Sequence, residues 1–85
     1  MDFDIETVQG MVNNGTAWRM EGSFGRSVMA ALEAGKLILG TESTSDYWGN
    51  RIPSRYEVQP GTKGSFDLAA EMHGMEYAQR LADVE

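Results

Sequence analysis

From Ser65 to Val84 the apolar residues fall into two rows, where a surface helix of a small protein needs only one. At about 100° per residue, Phe66, Ala70, Gly74, Tyr77, Leu81 and Val84 form one row; Leu68, Met72, Met75 and Ala82 form the other. The rows lie on nearly opposite sides, with Asp67 and Glu71 in one gap and His73, Glu76, Arg80 and Asp83 in the other. One apolar arc buries a helix against its own domain, whereas two arcs ask for burial on two sides. Two coverings are open. A second chain can meet the outer row, with Phe66, Met72, Met75, Tyr77 and Leu81 as self-association residues, or a hairpin of the same chain can fold over it. The first gives a homodimer, a common remedy for a thin core.

The chain has 85 residues, which allows one domain, residues 1–85, and no second. It has no cysteine, so disulfides, thiolate zinc sites and thiol chemistry are excluded together. No run approaches the ~20 apolar residues of a membrane span, and Met1-Asp2-Phe3-Asp4 lacks the basic flank and apolar stretch of a signal peptide. A cytoplasmic protein is the expectation.

Upstream, Asp2 or Asp4 can cap a first helix whose apolar face is Ile5, Val8, Met11 and Val12, and Asn13-Asn14-Gly15 ends it. A second helix is expected from a Thr16 cap to Gly35, with Ala17, Met20, Phe24, Val28, Ala31 and Leu32 on its main face. Along its flank runs another row, Trp18, Gly22, Gly25 and Met29. Glycine inside a helix costs about 1 kcal/mol relative to alanine. The usual compensation is a second backbone entering a notch, here walled by Trp18 and Met29.

Leu37-Ile38-Leu39 and Arg55-Tyr56-Glu57-Val58-Gln59 read as two short strands flanking a polar turn and a Gly49-Asn50 hairpin pair. Ser65 caps the third helix, with Asp67 in its first turn, and that helix is expected to run to Ala82 or beyond. The fold class is therefore α+β, three helices with a short β-hairpin between the second and third.

Five acids against two bases give residues 1–35 a net charge of −3; three against four give residues 36–63 +1; five against one give residues 64–85 −4. An acidic chain repels phosphate backbones, so any nucleic-acid partner would have to meet Lys36, Arg51, Arg55 and Lys63 in the middle third. His73 stands alone, and without Cys or a second His a transition-metal site lacks ligands. Asp67 and Glu71 share a helical face, but acid–base work needs a cleft that separates their pKa values. Gly61-Thr62-Lys63-Gly64-Ser65 has some of the parts of a phosphate loop, yet Gly64 separates Lys63 from Ser65, against the Walker order. No enzyme site, cofactor or metal is implied. Tyr47, Trp48, Arg51, Arg55 and Tyr56 remain: aromatic and arginine residues, the types most enriched in binding hot spots, gathered on one loop. They form a partner-binding surface, or Trp48 caps the thin core from above.

Gly15-Thr16-Ala17-Trp18-Arg19-Met20-Glu21-Gly22-Ser23-Phe24-Gly25-Arg26, continuing through Ala31-Leu32-Glu33-Ala34-Gly35, resembles a segment of small proteins of actinobacterial phages, mycobacteriophages especially. Asp46-Tyr47-Trp48-Gly49-Asn50-Arg51-Ile52-Pro53-Ser54-Arg55, with Pro60 to Ser65, resembles another phage-protein segment. The resemblance covers about half of the chain and brings no assigned activity. It implies an accessory, non-structural phage protein in a bacterial cytoplasm, with a host or phage protein as its partner and no catalytic residues. Host modulation through protein binding is the expected function; a nucleic-acid-associated regulator is the alternative.

Overall fold

The computed structural model describes residues 4–20, 22–46 and 48–84. Helix α1 (Ile5–Asn13) starts where the Asp4 carboxylate accepts from the Thr7 amide and hydroxyl, and buries Val8 and Val12. A 3-10 turn (Thr16–Arg19) and helix α2 (Gly22–Glu33) follow. The single second helix expected from Thr16 is thus divided, because Met20 is extended (φ −79°, ψ 175°) and sits between the two pieces. Glycine at the start of α2 gives little reason to carry a helix through that point. At the other end Gly35 adopts φ 72°, the Lys36 amide reaches back to Ala31 O and the Gly35 amide to Leu32 O, a left-handed close that satisfies the last carbonyls.

Leu37, Ile38 and Leu39 form no strand, nor does Arg55–Gln59. The three aliphatic residues run through the core as an irregular, fully buried segment. Buried main-chain polar groups need partners, and here most come from side chains. The Gln9 amide takes both polar groups of Ile38: Oε1 accepts from Ile38 N at 2.9 Å and Nε2 donates to Ile38 O at 2.7 Å. Leu39 N donates to Gly64 O, and Leu39 O accepts from Arg55 Nε at 2.7 Å. Gln9 acts as a one-residue strand partner. Asn13 extends the network, accepting from Gln9 Nε2 and Arg55 Nη2 and donating to Val84 O. Gly40 lets the segment pass α1, since a Cβ there would lie 2.9 Å from Asn13 Cα.

The hairpin is present but displaced into what the sequence marks as its tip. Strands β1 (Thr44–Ser45) and β2 (Arg51–Ile52) pair antiparallel, Thr44 opposite Ile52 and Ser45 opposite Arg51. The third helix is two helices, α3 (Phe66–His73) and α4 (Met75–Ala82). Ser65 caps α3 as expected, its hydroxyl accepting from the Leu68 amide at 3.0 Å. Gly74 at φ 97°, ψ 157° then turns the chain, a conformation essentially reserved for glycine. Among the described residues, four α-helices and a two-stranded hairpin keep the class α+β.

The bend at Gly74 dissolves the two-row rod. Ala69, Ala78 and Leu81 are the positions of α3 and α4 that go fully under, and the two alanines belong to neither row. Leu81, expected at a self-association face, is a core residue instead, a burial that contributes about 1.5–3 kcal/mol. Phe66 and Tyr77 are half-buried against the same core, and the Tyr77 hydroxyl donates to Lys36 O at 2.6 Å. His73 Nε2 lies 3.0 Å from Ala34 O, so the bent pair closes over the end of α2. Met72 and Met75 alone of the expected set stay at the surface, 57% and 63% exposed. None of the described helices is long and apolar enough to cross a membrane.

Candidate functional site

The hairpin tip is built around one carboxylate. Asp46 Oδ1 accepts from the amides of Trp48 (2.9 Å) and Asn50 (2.8 Å), Oδ2 accepts from Asn50 Nδ2, and the Asp46 amide donates to Asn50 O at 2.9 Å. An Asx turn of this kind lets a short side chain do the work of main-chain pairing. Burial alone would raise the Asp46 pKa, but the donors from Asn50, Trp48 and Gly49 outweigh it and hold the pKa below the usual carboxylate range. Gly49, at φ 85°, supplies the left-handed residue that the reversal needs.

Below the tip, Glu57 staples the returning chain. Its carboxylate accepts from the Ser54 amide (Oε2, 2.8 Å) and from the Arg51 guanidinium. These donors, the Ser54 amide first and Arg51 second, bring its pKa from 4.5 down to about 2. A turn from Ser54 to Glu57 presents Tyr56 outward, while the Arg55 amide donates to Gly40 O at 2.8 Å.

The five residues expected on a partner surface separate on this frame. Trp48 and Tyr56 are 73% and 74% exposed. Arg51 is at the surface and holds Glu57. Arg55 is the correction: at 8% exposure it is buried, bonded to Leu39 O and Asn13 Oδ1, and desolvation lowers its pKa. A guanidinium's five donors suit it to stitch loops from inside, and nothing in the Ser54-Arg55-Tyr56 pattern distinguishes that role from a surface one. Tyr47 lies outside the described residues.

A trough runs beside the tip, between α2 and the hairpin. One part, about 290 Å³, is bounded by Gly22, Gly25 and Arg26 on α2 and by Asp46 and Trp48 on the hairpin. A neighbouring cleft, about 240 Å³, is lined by Leu32, Leu39 and Val58 with Pro53, Thr62 and Lys63. Trp18, Met29 and Ile52 wall both. The glycine row therefore does form a notch with Trp18 and Met29 as walls, but no backbone of the described residues enters it. A Cβ on Gly25 would meet nothing within 4 Å, and one on Gly22 only Arg26 Nη1. Sequence spacing gave no sign that the hairpin would be the opposite bank.

Among the described residues, no three His, Asp or Glu side chains gather to hold a metal ion. Lys63 faces Glu33 at 4.0 Å, and Arg80 pairs with Glu6 at 2.7 Å. No family model, curated protein or solved structure matches the chain.

Proposed function

We propose that this chain is a small accessory protein of the phage type that acts by binding another protein through the tip carrying Trp48 and Tyr56. The supporting observation is that both aromatic side chains stand about three-quarters exposed (73% and 74%) on main chain tied down by Asp46 and Glu57. Large aromatics on a pre-formed surface are the side chains that most often dominate binding energy, because they bring much area and lose little freedom. The rival nucleic-acid reading has weaker support: Arg55 is inside, and Arg51 and Lys63 each face a carboxylate.

The test uses bacterial lysate and two baits, the natural chain and the Trp48→Ala/Tyr56→Ala double variant. Losing a central aromatic costs about 2 kcal/mol or more, a loss exceeding tenfold in affinity. A protein held by the natural chain and lost by a variant with unchanged circular dichroism supports the tip. Equal capture by both baits removes it. Light scattering on the pure natural chain reads the homodimer expectation separately, with Met72 and Met75 as the exposed residues available for that contact.

A further inference from the structure

Asparagine is a thermolabile residue, most of all where glycine follows it. The main-chain nitrogen after the asparagine attacks its side-chain carbonyl carbon, and glycine alone puts no Cβ beside that nitrogen. Of the asparagines Asn13, Asn14 and Asn50, only Asn14 precedes a glycine. The fold leaves no choice at the following position. Gly15 lies in the left-handed region at φ 85°, and a Cβ there would sit 2.6 Å from Thr44 Oγ1 on β1. Asn14 itself is exposed, whereas Gly15 is buried. A reactive pair is thus built into the turn after α1.

The folded turn holds the reacting atoms apart. Asn14 closes α1 at ψ 1°, so the Gly15 nitrogen eclipses the nitrogen of Asn14 and not its Cβ. Ring closure needs that nitrogen turned to the Cβ side. The Gly15 N–H donates to Val12 O at 3.3 Å, and Asn14 Oδ1 accepts from the Thr16 amide at 2.9 Å. Attack therefore requires rotation about ψ and the loss of both bonds.

We propose that Asn14 is a site of spontaneous deamidation guarded by the native turn, so that the modification records opening of the turn between α1 and Gly15. In the open turn hydroxide removes the Gly15 amide proton and the nitrogen bonds to Asn14 Cγ. The Cγ–Nδ2 bond then breaks, and the nitrogen takes a proton from water and leaves as ammonia. Water opens the resulting succinimide at either carbonyl, giving an aspartyl or an isoaspartyl chain. The aspartyl chain keeps its length and an acceptor for the Thr16 amide. The isoaspartyl chain gains one main-chain atom before Gly15, which shifts the glycine away from its fit against Thr44.

The test holds the full chain at one mildly alkaline pH, with and without urea. Samples quenched in acid are cut with trypsin, and the peptide from Met1 to Arg19 is followed by fragment mass spectrometry, its two products separated by chromatography. In urea Asn14 should convert with both products appearing. A minor open state is populated at about 0.1–10%, so conversion in native buffer should be at least about tenfold slower. Gly15→Ala, compared in urea where folding plays no part, should slow the reaction severalfold, because a Cβ crowds the attacking nitrogen. Returned to native buffer, the isoaspartyl chain should melt below the aspartyl one. Equal rates with and without urea would overturn the guard. Conversion of Asn13 or Asn50 ahead of Asn14 in urea, or no slowing by Gly15→Ala, would overturn the site, and equal melting of the two products would overturn the shift at Thr44.

Discussion

Gln9 is where the fold is most exposed to a single substitution. Its side chain is fully buried and makes three hydrogen bonds, two of them to the otherwise unpaired N–H and C=O of Ile38 and one to Asn13. Gln9→Met keeps the length and nearly the volume, so packing changes add little. The substitution leaves two main-chain groups buried without partners, each costing about 1–3 kcal/mol, or about 2–6 kcal/mol together. A domain of this length is stable by about 4–13 kcal/mol. The loss is therefore a large fraction of the whole. Urea unfolding followed by far-UV circular dichroism should show the midpoint falling by at least about 1 M at unchanged slope.

Gln9→Glu separates the hydrogen bonds from the shape. Ionised, it can accept from Ile38 N but cannot donate to Ile38 O; protonated, it can do both. Burial raises its folded pKa above the unfolded value of about 4.3, so the neutral form is favoured on folding. The variant should recover stability as the pH falls below that folded pKa and lose it as the pH rises through it. A Gln9→Met chain within about 0.5 kcal/mol of the natural one at equal slope would refute the idea that Gln9 replaces a missing strand.

Gly74→Ala forces a Cβ into a glycine-only conformation with nothing within 4 Å to clash, so the cost is torsional, about 1–3 kcal/mol, and should lower Tm by about 5–20 °C in calorimetry. An unchanged Tm would mean that the bend is not fixed by that torsion. Glu57 has its pKa depressed from 4.5 to about 2, so its contribution is present above 4.5 and lost as the pH falls toward 2. Glu57→Gln should flatten the acid limb of a pH–stability profile in that window, with Asp46 and Asp4, both also lowered, supplying the remaining slope.

What the sequence could reveal divides by distance along the chain. Asp4, Gly35 and Ser65 act within one turn of their own positions, and each sits where its residue type places it. Leu37-Ile38-Leu39 looks like a strand because burial and branching look alike in strands and buried loops. What satisfies it comes from Gln9, 29 residues from Ile38, and Arg55, 16 from Leu39. No local pattern records those partners. Arg55 is illegible for the same reason: enrichment of arginine at interfaces cannot separate it from an arginine that ties loops from within. Two rows along residues 66–84 require an unbroken rod, and one glycine torsion at Gly74 reassigns every face beyond it. Trp48, by contrast, adjoins the Gly49-Asn50 pair whose turn chemistry is legible and is exposed there, whereas Tyr56, expected in a strand, is exposed on a turn.

The glycine row shows how partial legibility still narrows function. Gly25 costs its helix about 1 kcal/mol, and no contact within the described chain recovers it. The unmet Trp18 N–H is a second cost. Both residues border one cleft, next to the exposed indole of Trp48. A fold that keeps Gln9, Asn13 and Arg55 so fully bonded has no general tolerance for unmet polar groups. Of the two, only the Gly25 notch is open to an outside group, because the Trp18 N–H is sealed within the fold.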